Sequence, residues 1–296
     1  MASVLGVDVS LGRGHDVVLL EDATVKEMWS GVGKDGLRRL LEELQPAAVG
    51  IDAPSRPGLG LLREEAERAK LTVPPVPGKH LARRVAEYEL SRRGIGSHQT
   101  HYDETRLFSW MTAGFEAFDA ARQAGYPTYP MDAVAAQNAA FEVFPYASYV
   151  TLAGCISPGR KFRLEWRRQV LAEAGVRGVP EDASIDTVDA TCAALTAERF
   201  LQGRGSALGD PREGVVVLPV AAAAEHYRRC APPGGRPVHP AEKPLRLCEC
   251  GCGTTVRSRF VPGHAARLKA HLTEQVRVGE HARTELLRLG WTRPKE

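Results

Sequence analysis

The first fifty residues constrain the fold more than any other part of the chain, because they alternate between short strand-like runs and one amphipathic helix. Apolar runs separated by tight turns occupy Ser3–Val9, Asp16–Glu21 and Thr24–Trp29 and predict three consecutive strands. From Gly33 to Leu44, leucines recur on one face and charges on the other, which predicts a helix. The nearly all-apolar run Ala47–Asp52 predicts a strand buried on both faces. This succession indicates a mixed α/β sheet.

The rest of the chain alternates predicted helices with two further strands. Helical spacing predicts helices over Leu61–Lys70, Leu81–Arg93, Thr105–Ala124, Lys161–Ala174 and Ser184–Leu201. Apolar runs predict strands over Ala139–Phe144 and Val215–Leu218. A stretch rich in proline and glycine then predicts a stiff linker. We therefore predict a large α/β domain at 1–228, a linker at 229–245 and a small basic module at 246–296.

Charge is unevenly distributed along the chain, although the net charge is only +3. The segment 245–296 contains ten Lys/Arg and five Asp/Glu, a net charge of +5, whereas the remainder contains 29 basic and 31 acidic residues. A basic appendage beside a near-neutral body favours binding of a polyanion, although a solvated helical face would have a similar composition. We therefore expect nucleic acid as a partner.

Nothing in the sequence predicts export or insertion into a membrane. No basic leader or cleavage site precedes the first apolar run, and the longest apolar run, Val215–Ala224, contains a proline and is too short to span a bilayer. We therefore expect a cytoplasmic protein. In that compartment the isolated cysteines Cys155, Cys192 and Cys230 are expected to be reduced thiols.

Four aspartates stand where this fold would bring distant parts of the chain together. Asp8 ends the first predicted strand, and Asp52 ends the buried fourth strand, so neighbouring strands would place both at one edge of the sheet. Asp186 and Asp189 are three residues apart near the start of a helix and share one helical face. That face continues in small and apolar residues, which favours packing of the helix on the sheet.

A carboxylate cluster of this kind fits divalent-metal chemistry. Buried carboxylates are costly unless a cation compensates them, and Mg²⁺ or Mn²⁺ prefers oxygen ligands. In two-metal phosphoryl transfer, two cations about 4 Å apart activate the attacking water and stabilise the leaving oxygen. Each aspartate also has a structural interpretation, since Asp caps turns at strand ends and favours the first turn of a helix. The combination of two strand ends with an Asp-x-x-Asp helix favours the metal site.

Several motifs together resemble the family known as domain of unknown function 429. They are Gly6-Val-Asp-Val-Ser10, Ile51-Asp-Ala-Pro-Ser55, Glu142-Val-Phe-Pro145, Lys161, and Asp186-x-x-Asp-Ala190 with Ala193-Ala194 and Thr196-Ala197, in the expected order between Val4 and Pro219. The resemblance implies an RNase H-like fold and a predicted nuclease, and the Asp-x-x-Asp helix resembles that of the Holliday-junction resolvase branch. It also implies a site role for Glu142, whose alternative is a glutamate on a solvated strand face.

Basic and hydroxyl residues near these acids are candidates for contacting the substrate. Arg83 and Arg84 lie on one predicted helix, where contacts to phosphate are the functional interpretation and a solvated face is the alternative. Ser10 and Ser55, in the two strand-end motifs, are assigned to substrate binding as well. Lys161 begins a basic helix and is a candidate for stabilising phosphate charge in the transition state. The arginines of that helix are expected to bind backbone phosphates or to solvate it.

The C-terminal module contains a second metal-binding pattern. Cys248, Cys250 and Cys252, followed by His264, offer three thiolates and an imidazole, a standard tetrahedral ligand set for Zn²⁺. His271 is the alternative fourth ligand. A module this small could hardly bury a stable core without such a crosslink, so we predict a structural zinc site that presents basic residues to nucleic acid. The alternative, a surface loop of free cysteines, would be prone to oxidation.

The expected function is therefore a metal-dependent nuclease that hydrolyses phosphodiester bonds. Its predicted catalytic residues are Asp8, Asp52, Glu142, Asp186, Asp189 and Lys161, with the four aspartates as Mg²⁺ ligands. One alternative is an actin-like ATPase or kinase of the same fold, but such enzymes need glycine-rich phosphate loops, and Asp8-Val-Ser-Leu-Gly12 is a poor version of one. Another is a non-catalytic nucleic-acid-binding protein whose acids are structural. The sequence favours neither DNA nor RNA.

Overall fold

A computed structural model of the protein describes most of a large N-terminal unit and parts of a small C-terminal one. The described residues are 2–132, 136–159, 163–231, 246–250, 252, 254–256, 260, 264–275, 284–286 and 288–289. The chain divides into two compact units, Met1–Pro233 and Gly234–Glu296.

A sheet that contains seven strands within the described residues forms the centre of the larger unit. The strands are β1 (Val4–Asp8), β2 (His15–Glu21), β3 (Thr24–Val32), β4 (Ala48–Asp52), β5 (Ala139–Val143), β6 (Ser206–Asp210) and β7 (Gly214–Leu218). Their order in space is β3-β2-β1-β4-β5-β7-β6. Strand β1 is antiparallel to β2 and parallel to β4, and β5 continues the parallel part. This is the RNase H-like arrangement, so the predicted fold class is confirmed.

Helices cover both faces of the sheet. In the described part of this unit they are α1 (Lys34–Leu44), α2 (Glu65–Arg68), α3 (Val85–Arg92), α4 (Ser109–Gln123), α5 (Pro145–Ala153), α6 (Arg163–Glu173) and α7 (Ile185–Leu201), with 3-10 turns at Gly78–His80 and Glu104–Arg106. Leu37 and Leu41 of α1 and Phe118 of α4 are buried on one face, together with Val7 and Ile51 of the sheet. Helices α5 and α7 pack on the opposite face. The strands between these layers are buried on both sides, as their apolar sequences predict.

The sequence does not predict two of these elements. Strand β6 lies at the edge of the sheet, where partial exposure removes the need for an apolar, alternating sequence. Helix α5 begins at Pro145, which the sequence indicates only as the end of the preceding strand. Proline is well tolerated in the first turn of a helix because its missing N–H would have no partner there. The helix predicted over Leu61–Lys70 is shorter in the structure and covers only α2.

Cys155 and Cys230 form a disulfide, so the expectation that both are reduced thiols is wrong. The bond connects the end of α5 to the segment after β7. The two segments also pair through their backbones, since Cys230 N–H donates to the Ile156 carbonyl at 2.7 Å and Ile156 N–H donates to the Arg228 carbonyl at 2.8 Å. Because the two cysteines are 75 positions apart in the sequence, no local pattern indicates this pairing. Cys192 is a buried free thiol.

The described residues of the smaller unit form a short hairpin and a helix. The antiparallel strands β8 (Arg246–Leu247) and β9 (Thr255–Val256) are followed by α8 (His264–Gln275). Leu272, Leu286 and Leu289 form a small buried cluster in this unit. Across both units, none of the described helices combines the length and the apolar character that crossing a bilayer requires.

Candidate active site

Three aspartates form a row across the middle of the sheet. The register pairs Asp8 of β1 with Asp16 of β2 on one side and with Asp52 of β4 on the other. Residues directly opposite each other on neighbouring strands project from the same face of a sheet. Asp16 was not predicted as a site residue, although an antiparallel hairpin whose second strand begins near that residue would place it opposite Asp8.

Helix α7 brings two more aspartates to this face, and two glycines make the approach possible. A Cβ on Gly6 would lie 2.0 Å from the Ala190 carbonyl oxygen, and one on Gly50 would lie 2.4 Å from the Ala193 carbonyl oxygen. No side chain fits at such distances, so the backbone of the alanine-rich helix contacts the backbone of β1 and β4. Each glycine stands two residues before an aspartate of the row and faces the same side of the sheet. The first turns of α7 therefore lie over the row.

The five aspartates form two overlapping groups. Asp8, Asp52 and Asp189 each offer a carboxylate oxygen, and these oxygens lie within 4.8 Å of one another. Asp8, Asp16 and Asp186 satisfy the same condition. Asp8 belongs to both groups, so it stands between two positions that are each surrounded by three carboxylates. Clustered carboxylate oxygens are the ligands that hard divalent cations prefer.

Burial and mutual repulsion raise the pKa values of these carboxyl groups. Burial, followed by the charges of Asp52, Asp189 and Asp186, raises the pKa of Asp8 to about 10. Burial and then the charge of Asp189 also raise the pKa of Asp52 well above its usual range. Burial raises the pKa of Asp189 to about 6, against the opposing effect of the Arg167 guanidinium. Without a counter-ion the cluster therefore retains protons at neutral pH, and a divalent cation would displace them.

One oxygen of the cluster has no hydrogen-bond partner within the part of the chain that the structure describes. Asp189 Oδ2 accepts a hydrogen bond from Arg167, whereas Asp189 Oδ1 is buried and without a hydrogen-bond partner among the described residues. The nearby Tyr149 hydroxyl donates to the Val188 carbonyl at 2.8 Å instead. A buried carboxylate oxygen without a partner is expensive, and a bound cation is the simplest group that would satisfy it.

Two arginines flank the cluster on different sides. Arg167 is buried, pairs with Asp189 and lies over the Tyr149 ring at 5.2 Å from its centroid. Arg13 pairs with Asp186 and lies 3.4 Å from Asp16, but 53% of its side chain is exposed. The sequence assigns Arg167 to phosphate binding or to a solvated helix face, and it does not indicate the contact with Asp189. Arg167 therefore orients a site carboxylate, whereas Arg13 remains accessible from solvent.

Glu142 lies on the strand next to Asp52 but faces the other side of the sheet. The register of β4 with β5 places Glu142 opposite Ile51, and Asp52 is opposite Val143. Because side chains alternate along a strand, a glutamate one position out of register with the aspartates projects away from them. Neither carboxylate group that surrounds Asp8 in the described residues includes Glu142. The expectation that it joins the aspartates therefore disagrees with the structure.

The Glu142 carboxylate instead belongs to a buried ionic network. It accepts hydrogen bonds from the two terminal nitrogens of Arg84 at 2.5 and 2.9 Å and from the Ser55 backbone and hydroxyl at 2.9 and 3.0 Å. Arg84 Nε donates to Glu87 at 3.1 Å, and the arginine is only 2% exposed. Arg84 and Ser55 are therefore used inside the protein, which corrects the prediction that they present polar groups to a substrate.

The three other predicted site residues, Ser10, Arg83 and Lys161, do not share one environment. Ser10 follows β1, and its hydroxyl accepts a hydrogen bond from Arg13 Nε at 2.9 Å, so it lies at the edge of the aspartate row. Arg83 is half-buried and donates to the hydroxyl of Ser97 at 3.2 Å. Lys161 lies outside the described residues.

The three cysteines of the smaller unit are close enough to share one ion. The sulfur atoms of Cys248, Cys250 and Cys252 lie within 4.8 Å of one another. A hydrogen bond with Thr254 is the main cause that lowers the pKa of Cys252 to about 6, which favours the thiolate that binds Zn²⁺. The candidate fourth ligand His264 is the first residue of α8, but its side chain lies outside the described part. His271 is on the same helix and exposed, so the choice between the two histidines stays open.

Comparisons with known proteins identify the family of the chain. No curated protein matches the chain. Among solved structures, one with the description "Thermus thermophilus RuvC structure" has 13% sequence identity and a TM-score of 0.33, and the match covers 68% of this chain and 95% of that one. The family described as "Protein of unknown function (DUF429)" matches residues 6–213. That match includes the aspartate row and helix α7, and the chain belongs to this family.

Proposed function

We propose that the protein is a metal-dependent nuclease that hydrolyses phosphodiester bonds at the aspartate cluster. The observation that carries the proposal is the position of Asp8, which is shared by two groups of three carboxylates. Five acids that converge from β1, β2, β4 and α7 repel one another, as the raised pKa of Asp8 indicates. Such an arrangement is costly for folding and is expected where bound cations offset the cost.

The chemistry of the donor set fits Mg²⁺ or Mn²⁺. Asp8, Asp52 and Asp189 would hold one ion, and Asp8 with Asp16 and Asp186 would hold a second. Asp189 Oδ1, which has no hydrogen-bond partner among the described residues, supports this fit, because a bound cation would satisfy it. When bound, such ions activate water as a nucleophile and stabilise the oxygen that leaves phosphorus.

The side chains around the aspartates orient them and balance charge. Arg167 fixes one oxygen of Asp189 and leaves the other free for a ligand. Ser30 donates to Asp16 Oδ1 at 2.6 Å and Thr187 donates to the same atom at 3.3 Å, so Asp16 keeps a defined orientation. The exposed guanidinium of Arg13 would exchange its contact with Asp186 for a substrate phosphate. Lys161 stays a candidate for the same task.

Incubating the protein with a panel of nucleic acids tests this proposal. Purified protein, stripped of metal and then supplied with Mg²⁺ or Mn²⁺, should cleave at least one of single-stranded, duplex or branched DNA or RNA, and EDTA should stop the cleavage. The Asp52→Asn variant should be inactive because it removes one carboxylate of the first group. Equal cleavage by this variant would show that the cleavage does not take place at the aspartate cluster and would contradict the proposal. Salt-sensitive binding without cleavage of any substrate would favour the non-catalytic alternative.

The cysteine cluster is proposed to bind one structural Zn²⁺ and to support binding of nucleic acid by the basic C-terminal unit. We expect about one zinc ion per chain in the purified protein, since three thiolates and one histidine complete a tetrahedral site. Cys250→Ser should reduce the zinc content to nearly zero in elemental analysis. Thr273→Ala, an exposed substitution on α8, should leave it unchanged. Wild-type protein without zinc after purification under reducing conditions would contradict the assignment.

A further inference from the structure

A cavity of about 240 Å³ opens beside Asp52, and the proposed nuclease chemistry makes no use of it. Most of its wall is apolar, and the side chains that matter here are Val9, Asp52, His98, Trp110, Met111 and Phe144. Arg84, Glu87 and Glu142 of the buried ionic network also line it, but each is at most 3% exposed. The cavity therefore reaches a carboxylate of the aspartate cluster and combines a largely hydrocarbon and aromatic wall with polar groups such as the Ser97 and Thr100 side chains. A cavity of this size and character has room for one flat heteroaromatic ring.

The rings of His98 and Trp110 line this cavity, and the Phe108 ring packs beside them against His98. The His98 ring packs edge-on against Phe108 with centroids 5.4 Å apart and against Trp110 with centroids 5.6 Å apart. Phe108 is 51% exposed, although it precedes the first residue of α4 and could have been polar at no cost to the core. Exposed aromatic rings beside a polar site are typical of surfaces on which bases stack, because every nucleobase has a π-face.

The cavity continues into a longer cleft whose lining changes from aromatic residues to aspartates and then to arginines. A second cavity of about 490 Å³ shares Asp52 and His98 with the first and adds Asp189 and Arg163. A third cavity of about 310 Å³ shares Arg163 and adds Arg229. The aspartate cluster thus lies between an aromatic end and an end lined by exposed arginines.

The order of aromatic, acidic and basic residues along the cleft favours one orientation of a bound nucleotide. A phosphate is repelled by unpaired carboxylates and attracted by guanidinium groups, so the backbone of a strand would run towards Arg163 and Arg229. The base next to the phosphate at the aspartates would then point to the apolar cavity. A base pair does not fit a space of about 240 Å³, whereas a single base does. Withdrawing a base from a duplex costs a few kcal/mol, and the cost is least where the strand is already unpaired.

We propose that the cavity lined by His98 and Trp110, with the exposed Phe108 ring beside it, receives one unstacked nucleobase, and that the substrate is a nucleic-acid strand unpaired at the point of cleavage. The inference rests on the proposed nuclease function, because it takes the aspartate cluster as the position of the scissile phosphate. It names a substrate class for that site, single-stranded or locally unpaired DNA or RNA, and a contact that does not depend on the metal.

Equilibrium binding of short oligonucleotides tests the inference separately from catalysis. Fluorescence anisotropy with the full chain in Ca²⁺ buffer would measure the affinity for labelled oligonucleotides. Three of them are DNA: a twelve-nucleotide single strand, the corresponding duplex, and a strand of the same length with abasic sugars. A single-stranded RNA of the same length is the fourth. The single strand should bind at least about tenfold more tightly than the duplex or the abasic strand, as expected for one stacked base. Electrophoresis of the recovered strand would verify that it stays intact.

Phe108→Ala supplies the decisive comparison. This variant should weaken binding of the base-bearing strand by about 5- to 100-fold and leave binding of the abasic strand within about twofold. Met28→Ala removes a partly exposed apolar side chain from β3 and should change neither affinity. An equal loss on both strands, no loss on either, or no saturable binding by the wild type would overturn the inference. Cleavage of a substrate whose binding Phe108→Ala leaves unchanged would refute the base contact and leave the nuclease proposal standing.

Discussion

Asp8→Asn should lower the rate of Mg²⁺-dependent cleavage by at least about a thousandfold, the upper end of what removal of a single electrostatic contact to a transition state costs. Asp8 is the carboxylate common to both three-acid groups, so its loss weakens both candidate cation positions at once. Asn keeps the shape of the side chain and one of its oxygens but removes the charge. The measurement is the initial rate of cleavage on the preferred substrate over a range of Mg²⁺ concentrations.

Two other substitutions serve as comparisons for Asp8→Asn. Asp16→Asn affects only one of the two groups, so we expect a smaller loss of rate that high Mg²⁺ partly restores. Asp22→Asn changes an exposed aspartate at the turn between β2 and β3, at the far end of the strand from Asp16, and should have the wild-type rate. Wild-type activity of Asp8→Asn at saturating substrate would rule out the proposed centre.

The same Asp8→Asn substitution should stabilise the metal-free protein. The folded state holds a proton on Asp8 up to a pKa of about 10, whereas an unfolded chain releases it near its usual value of about 4. The folded state therefore binds more protons between these values, and the free energy of unfolding falls as the pH rises through that window. Asn carries no charge at any pH and removes this penalty. At pH 8 we expect a gain of at least about 1 kcal/mol, or roughly 2–4 °C in Tm.

Thermal unfolding in EDTA at several pH values measures this effect. The Tm difference between Asp8→Asn and wild type should be small near pH 4 and should increase towards pH 8. Adding Mg²⁺ at pH 8 should raise the Tm of the wild type and reverse the order, because only the wild type has the full ligand set. A Tm difference that does not vary with pH would indicate that the pKa of Asp8 is the same in the folded and the unfolded state.

Sequence reasoning locates the main aspartates because their positions follow from local patterns. Asp8 and Asp52 end apolar runs that can only be buried strands, and adjacent parallel strands present their C-terminal ends at one edge. Asp186 and Asp189 share a helical face with small residues, and only such a face can approach Gly6 and Gly50 of the sheet. The structure brings these four aspartates together for that reason.

The features that sequence reasoning misses depend on register and on contacts between distant residues. Asp16 joins the row only because the hairpin pairs it directly with Asp8. Glu142 leaves the row because β5 is offset by one position relative to β4, and strand spacing alone does not fix that offset. The pairing of Arg167 with Asp189 depends on how α6 packs against α7. Each of these requires the tertiary structure.

Arg84→Met should destabilise the protein by about 3–5 kcal/mol, the range for removing one partner of a buried ion pair. Arg84 is enclosed by acids: it contacts the Glu142 and Glu87 carboxylates and the Glu213 carbonyl, and its side chain is 3% exposed. Methionine fills much of the same space but leaves two buried carboxylates without their cation. Since about 1 kcal/mol corresponds to roughly 2–4 °C in a domain of this size, the Tm should fall by roughly 6–20 °C.

A second arginine on the same helix supplies the matched control. Arg92 also pairs with two glutamates, Glu89 at 2.9 Å and Glu225 at 2.6 Å, but Arg92 is only half-buried and Glu225 is exposed, and ion pairs in contact with solvent contribute about 0–1 kcal/mol. Glu89 also keeps Arg93 as a second partner when Arg92 is replaced. Arg92→Met should therefore lower the Tm by only a few degrees at most. Adding Glu142→Gln to Arg84→Met should restore part of the lost Tm, because it removes one of the two buried carboxylate charges that have no cation in Arg84→Met. If Arg84→Met and Arg92→Met were equally mild, the buried Arg84 network would contribute no more to stability than the more exposed pairs of Arg92.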